Sequence, residues 1–210
     1  MELDTAYMIT VFVTMFVVID PIGIAPLFLA LTRGMTTAHR RRVAIRATLT
    51  AAFILALFAF FGEALLGFVG ISMPAFRIAG GILLFLTALD MLFERRSKRR
   101  EDKTEEEHPD DPSIFPLAIP LMAGPGAIAS VILLIGERPD GEGMITVLSI
   151  TALVLMAMAV ILMLSSYLDR VVGKTGIDVI TRILGMLLAA LSVQFVLDGL
   201  AAFGFGPGPT

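Results

Sequence analysis

The feature that most restricts the fold of this 210-residue chain is a series of six apolar windows, each about 20 residues long. An α-helix rises about 1.5 Å per residue, so a window of about 20 apolar residues crosses the hydrocarbon core of a bilayer. The windows lie at about 6–32, 43–68, 74–93, 114–136, 144–168 and 179–200. They predict an all-α, polytopic membrane protein whose six transmembrane helices contact a lipid bilayer.

The amino-acid composition excludes several kinds of catalytic chemistry. The chain is 57% hydrophobic, with a mean hydropathy of +0.88, and it has no cysteine. Thiol redox chemistry is therefore excluded, and the two histidines, His39 and His108, lie in charged segments unsuited to a metal cluster. An intramembrane aspartyl protease would need two deep aspartates, but only Asp20 lies far inside a span. We therefore expect no enzyme activity, no metal, no cofactor and no nucleic-acid partner.

The basic residues predict the orientation of the chain. Residues 94–112, of which 14 of 19 are charged, read as a solvated linker between two halves of similar length, 1–93 and 113–210. Fourteen of the 16 basic residues lie in this linker or near the connections between the first and second and the fifth and sixth spans, leaving Arg77 and Arg138 on the other side. The positive-inside rule then makes the linker cytoplasmic and places both termini outside.

The two halves share a pattern. Pro21 and Pro26 are five residues apart in the first span, with Gly23 between them; Pro120 and Pro125 repeat that spacing in the fourth span, with Gly124 between them and Gly126 after. The third and sixth spans both begin with Arg-Ile-x-Gly, at Arg77 and Arg182, so that Gly80 corresponds to Gly185. Because three crossings reverse the direction of entry, the halves are predicted to be two inverted three-helix repeats.

The proline and glycine clusters predict broken or re-entrant first helices in each repeat. Proline removes a helical hydrogen-bond donor, and hydrocarbon offers no water to the groups left behind. Half-helices starting near Pro26 and Pro125 would point positive dipole ends at one central place, which suits a carboxylate. The unwound carbonyls and Asp20 would suit an ammonium group or a coupling cation. Together they predict a site for a zwitterion.

The predicted substrate-binding residues are Asp20, Pro21, Gly23, Pro26, Pro120, Gly124, Pro125 and Gly126, with Arg77 and Arg182 as possible supporting residues. Simpler interpretations remain open. The prolines would then only kink two packed helices, Asp20 would only cap a helix, and both arginines would reach to the membrane interface. Hydroxyl groups such as that of Ser130 could bond within the bundle, although such groups commonly bond their own helix backbone.

Four segments carry a resemblance to a known family: FVVIDPIGIAPLFLALT at 16–32, RIAGGILLFLTALDML at 77–92, PLAIPLMAGPGAIASVILL at 116–134 and RILGMLLAALSVQFVLDGL at 182–200. With them the chain resembles the MarC family of integral membrane proteins, also classed as a neutral amino acid transporter family. The resemblance implies six spans in a bacterial-type inner membrane and, for some members, proton-coupled transport of glycine, alanine and related amino acids.

The sequence therefore favours a secondary transporter of small neutral amino acids that works by alternating access, with a proton or sodium as the coupling ion. Import and export both remain open, as do the oligomeric state and the choice between unwound helices and re-entrant hairpins. One alternative is an exporter or permease of another small metabolite or ion. Another, from a different class, is a non-transporting membrane sensor or scaffold.

Overall fold

The computed structural model describes residues 5–93 and 111–205, with all side chains in those ranges except at residues 169, 170 and 174. Every regular element in the described ranges is helical. The elements are α1 (Thr5–Ile19), α2 (Pro21–Leu31), α3 (Thr37–Val69), α4 (Met73–Leu92), α5 (Ser113–Met122), α6 (Pro125–Glu137), α7 (Gly141–Met163) and α8 (Ser165–Ala202). The predicted linker, residues 94–112, lies outside the described residues except for its last two.

Among the described residues, five helical segments are long and apolar enough to cross a membrane, counting α1 and α2 as one segment, and a sixth crossing is reached if the bent pair α5–α6 is one span. The chain is thus an all-helical, multi-pass membrane protein, as predicted. The first crossing runs from Thr5 to Leu31 through the break at Asp20, whereas α5 and α6 meet at an angle of 50°. The first break is therefore a single-residue interruption of a continuous crossing, and the second is a sharp bend.

Helix α5 is irregular throughout. Phe115 and Ile119 have extended backbone angles, with φ near −120° and ψ near 125°, and each precedes a proline joined by a cis peptide bond. The amide N–H groups of Leu117 and Ala123 donate to the carbonyl oxygens of Pro112 and Ala118, five residues earlier, at 3.2 and 2.9 Å. The segment before the second bend therefore differs from the regular helix α1 that precedes the first break.

Helices α4 and α8 pack antiparallel through glycines. A Cβ atom built on Gly81 would lie 2.8 Å from the carbonyl oxygen of Ser192 and 2.7 Å from the side chain of Val196. A Cβ atom built on Gly185 would lie 3.3 Å from the carbonyl oxygen of Ala88 and 3.4 Å from Cγ of Leu92. Small residues of this kind let membrane helices approach backbone to backbone.

Several local features of the first half recur 104 residues later. Two helix N-caps have counterparts 104 residues later. So do one glycine in the contact between α4 and α8 and the two residues that this glycine's counterpart contacts. The matched positions are Asp20 and Gly124, Thr36 and Asp140, Gly81 and Gly185, Ala88 and Ser192, and Leu92 and Val196. This spacing differs from both matches drawn from the sequence, which paired Pro21 with Pro120 and Gly80 with Gly185. Gly80 instead faces α6, where a Cβ would lie 2.8 Å from Leu133.

The bundle has two ends, which we call the terminal side and the linker side. On the terminal side, the hydroxyl group of Tyr7 donates to the carbonyl oxygen of Leu134 at 2.8 Å, and the guanidinium of Arg138 lies 5.4 Å from the centre of the Tyr7 ring. On the linker side, Arg46 forms an ion pair with Asp111, and Arg40 donates to the hydroxyl oxygen of Ser166 at 3.0 Å.

Candidate functional site

The first break is built on one residue, Asp20. Its amide N–H donates to the carbonyl oxygen of Phe16 and closes α1, while its own carbonyl accepts from Ile24 and its carboxylate accepts from the amide of Gly23 at 3.0 Å, which opens α2. Its backbone is left-handed, with φ 54° and ψ 62°. Aspartate and asparagine tolerate this conformation better than other residues with a Cβ. The side chain is 1% exposed.

Asp20 thus caps α2, which starts at Pro21 and not near Pro26 as the sequence predicted. Pro26 lies inside α2, one turn beyond Ile22. Since proline has no N–H, Pro21 and Pro26 leave the carbonyl groups of Val17 and Ile22 without their usual helical donors. The break therefore combines a buried carboxylate with freed backbone carbonyl groups.

The second break places Gly124 where the first has Asp20. Gly124 is the N-cap of α6 and Pro125 is its first residue, the arrangement that proline favours at a helix start. The backbone at Gly124 is extended, and a Cβ there would collide with the carbonyl oxygen of Pro120. Only glycine therefore fits this bend without a backbone shift, and no carboxylate caps this helix.

The structure brings the two breaks into contact through Gly126. A Cβ built on Gly126 would lie 3.5 Å from Cγ1 of Val18, two residues before Asp20, and 3.6 Å from the hydroxyl oxygen of Thr87 on α4. The end of α1 and the first turn of α6 therefore touch, beside α4. Helices α2 and α6 start in this region and run to opposite ends of the bundle.

The predicted site residues do not share one environment. Asp20, Pro21, Gly124 and Gly126 are buried, Gly23 and Pro26 are half-buried, and Pro120 and Pro125 are exposed. The supporting arginines differ too, since Arg77 is half-buried while Arg182 is exposed on α8. Arg77 and Arg182 are 105 residues apart, so with the 104-residue spacing they do not occupy matched positions.

Sequence reasoning missed one residue beside the breaks, Thr14. Six hydroxyl side chains in the helices bond carbonyl groups of their own helix, as expected for membrane spans: Thr10, Thr32, Thr48, Thr87, Thr146 and Ser192. Thr14 and Ser130 are fully buried, and their hydroxyl oxygens have no hydrogen-bond partner among the described residues. The same holds for the buried hydroxyl oxygens of Ser113, Thr151, Ser165 and Thr181, which lie outside the contact between α1 and α6. No sequence signal separates Thr14 from the six that bond their own helix.

The two breaks carry charge of opposite sign. The amino end of α6, which no side chain caps, provides partial positive charge and N–H groups that attract a carboxylate, whereas the amino end of α2 is already capped by the Asp20 carboxylate. Asp20 and the freed carbonyl groups of Val17 and Ile22 offer the complementary acceptors for an ammonium group. Within residues 5–93 and 111–205, no cluster of three histidine, aspartate or glutamate side chains could hold a metal ion.

Replacing Gly23 by alanine tests the capping geometry. A Cβ at this position would collide with the Asp20 carboxylate, so the cap must break although alanine is the better helix former. We expect the variant to lose about 1–2 kcal/mol of stability, the usual value of an N-cap, measured as thermal unfolding in detergent. Gly67→Ala is the matched control, because nothing lies within 4 Å of a Cβ there, and it should be neutral or stabilising. Equal stability of the two variants would contradict the cap.

Comparison with known proteins places the chain in a family. The family model described as "MarC family integral membrane protein" matches residues 5–203. The chain belongs to the MarC family of integral membrane proteins. Among MarC relatives, a UPF0056 membrane protein of Aquifex aeolicus is 38% identical over 192 residues, 90% of each chain. UPF0056 membrane protein YhcE of Escherichia coli is 36% identical over 204 residues, covering 94% of this chain and 92% of the relative.

UPF0056 membrane protein YvbG of Bacillus subtilis is 34% identical over 200 residues, covering 93% of this chain and 94% of the relative. The names of these MarC proteins describe membrane proteins and state no substrate. No solved structure matches the chain. Membership in the MarC family therefore establishes that this is an integral membrane protein.

Proposed function

We propose that this MarC protein is a secondary transporter of small neutral amino acids of the glycine and alanine type, coupled to protons or sodium, and not an enzyme. The observation that carries the proposal is the contact between two helix breaks deep in the bundle, at Val18 and Gly126. Irregular backbone at this depth is tolerated where it is buried in protein or lines a cavity, and discontinuous helices there form the substrate sites of many transporters.

Charge and size support the choice of ligand. A zwitterion would meet the uncapped amino end of α6 with its carboxylate and the Asp20 carboxylate with its ammonium group. The side chains around the contact are aliphatic, namely Val18 and Leu84, with the Thr87 hydroxyl beside them. An anion without an ammonium group would be repelled by the buried Asp20 carboxylate, and a large side chain would collide with the helix that packs at Gly126.

An arrangement of two inverted repeats is part of the proposal. It is supported by the 104-residue spacing and by the antiparallel packing of α4 on α8, where Gly81 and Gly185 meet matched partners. Packing between matched helices also corresponds, since α1 contacts α7 as α5 contacts α3, and α2 contacts α8 as α6 contacts α4. These relations fit a two-fold axis in the membrane plane, the symmetry of alternating-access transporters.

The distribution of basic residues supports a location in a bacterial-type inner membrane with the linker side in the cytoplasm. Arg33, Arg40, Arg41, Arg42 and Arg46 all lie at the linker side, near the start of α3. Within the described ranges, the terminal side holds Arg77, near the start of α4, and Arg138, just after α6. Both termini would then face away from the cytoplasm.

Ligand binding can be measured without transport. Glycine or alanine at about 100 times its dissociation constant should stabilise the folded protein by about 2.7 kcal/mol. For a chain of this size that corresponds to a rise of roughly 5–10 °C in the melting temperature in detergent. Gly124→Leu should remove the rise, while neutralising charges in the 94–112 linker should leave it intact. A rise that is the same with every metabolite tested would argue for unspecific stabilisation.

Transport itself is tested in proteoliposomes. We expect uptake or exchange of radioactive alanine that increases with an imposed proton or sodium gradient and is lost in the Gly124→Leu variant. Folded protein that moves no neutral amino acid in either direction, but moves another metabolite, would favour the alternative substrate class. Folded protein that moves and binds none would favour a sensor or scaffold.

A further inference from the structure

The contact between α1 and α6 forms a continuous seam from the breaks to the terminal side. At its inner end Val18 lies against Gly126, and at its outer end Tyr7 bonds Leu134, so the two helices are antiparallel. A step of four residues returns to the same face of a helix. Thr14 and Ser130 therefore occupy these same two faces, one turn farther out than Val18 and Gly126.

This seam is tightly shut yet contains two hydroxyl groups that make no hydrogen bond among the described residues. Thr14 and Ser130 are both fully buried. A buried hydroxyl without a partner is costly, and an apolar side chain of the same shape would relieve that cost. The cost disappears when the seam opens and water or a ligand reaches both oxygens. The two groups thus favour opening of a seam that is otherwise apolar.

The matched seam on the linker side, between α2 and α5, is not packed in the same way. Val11 and Met15 on α1 are fully buried, whereas their counterparts 104 residues later, Phe115 and Ile119, are 50% and 43% exposed. Helix α1 packs against α6, α7 and α8; in the described part of the chain, α5 packs extensively against α3 alone. The counterparts of Thr14 and Val18, namely Ala118 and Met122, are fully buried. The two seams therefore differ in which helices α1 and α5 pack against, and in exposure only at Phe115 and Ile119.

We propose that the α1–α6 seam is a gate, closed in this structure, and that the α2–α5 seam is its counterpart gate, open toward the linker side. Opening the first gate exposes Thr14 and Ser130 to the transport path, and closing the second brings Met122 of α5 against Ile22 of α2. The contact between Met122 and Ile22 is the counterpart of the contact between Val18 and Gly126. This inference rests on the proposed transport function and adds which helices move.

Cysteine cross-linking tests the two gates directly, because the chain has no cysteine of its own. The Thr14→Cys/Ser130→Cys double variant should cross-link in membranes with high yield in the absence of substrate. Without substrate, the Ile22→Cys/Met122→Cys double variant should cross-link at least about fivefold more slowly than the first pair. Its own rate should rise when substrate is added, because the protein then alternates between both states. Cross-linking the first pair should reduce alanine exchange at least about tenfold, and a reductant should restore it.

Several results would overturn the proposal. Unchanged exchange with the first pair cross-linked would mean that the α1–α6 seam never opens. Absence of cross-linking between residues 22 and 122 under every condition would mean that the second gate does not close. If no amino acid is transported at all, the cross-linking yields still report the gates, so failure of the gates is distinguishable from failure of the transport function.

Removing the hydroxyl groups gives a second test that preserves the fold. Thr14→Val and Ser130→Ala should each raise the melting temperature and slow exchange several-fold, since both relieve the cost of the closed seam. Thr48→Val is the control, because the Thr48 hydroxyl already bonds its own helix at 2.9 Å. Faster or unchanged exchange in both gate variants, together with higher stability, would show that the hydroxyl groups have no part in opening.

Discussion

Gly81→Leu is expected to lower the stability of this protein strongly. The Cβ alone would lie 2.8 Å from the Ser192 carbonyl oxygen and 3.1 Å from the Val196 amide nitrogen, so the obstacle is the backbone of α8 and not a flexible side chain. Overpacking usually costs about 1–3 kcal/mol, occasionally more, and a backbone obstacle belongs at the upper end. We expect a loss of at least about 3 kcal/mol.

The measurement is the melting temperature in detergent, where about 3 kcal/mol corresponds to a fall of roughly 6–12 °C for a chain of this length. Gly67→Leu introduces the same side chain on the exposed face of α3, where a Cβ meets nothing within 4 Å, and should change the melting temperature little. Similar melting temperatures for both variants would mean that α4 and α8 are farther apart than described.

Asp20→Asn is expected to separate the two roles of that carboxylate. Asparagine tolerates the left-handed backbone, and its amide oxygen can accept from Gly23, so the cap should survive with a loss below about 1 kcal/mol. The negative charge is lost. A hydrogen bond to a charged group contributes about 1.5–3 kcal/mol, which corresponds to a roughly 10- to 100-fold weaker affinity for a zwitterion.

The affinity is read from the alanine concentration that gives half of the thermal shift, and gradient-driven uptake is measured in parallel. Asp20→Ala is the companion variant, because it removes the cap and leaves a side chain ill suited to φ 54°. It should lose about 2–3 kcal/mol of stability by combining a lost cap with backbone strain. Wild-type affinity and wild-type uptake in Asp20→Asn would leave the carboxylate with a purely structural role.

The spans and the two breaks could be predicted because both follow from composition along the chain. Apolar windows placed the first crossing at 6–32, and the structure has it at Thr5–Leu31. The break at Asp20 was predicted from proline and glycine in a segment that water cannot reach. Such signals are local, so a single sequence is enough to read them.

The pairing of the two halves was not correct in detail, because similar residue spacing is not the same as equivalent backbone position. Proline spacing matched Pro21 with Pro120, but the first residue of the new helix is Pro21 in one half and Pro125 in the other. Pro120 belongs to the irregular segment α5, whose geometry depends on packing against α3. The unpaired hydroxyl groups were missed for the same reason, since only neighbouring helices decide whether Thr14 finds a partner.

The glycine-packed pair α4–α8 has a consequence for how such a protein tolerates sequence change. In the proposed inverted-repeat arrangement its two members are each other's counterparts. A tilt that swaps the roles of the halves would then map the pair onto itself and leave its internal energy the same at both ends of the proposed transport cycle. Substitutions within it should alter how much protein accumulates in the cell while leaving the direction of net flux untouched. In the proposed secondary transporter the gradients set the direction of net flux, so positions where the two halves differ, as at residues 20 and 124, would change only affinities and rates at the two sides of the membrane.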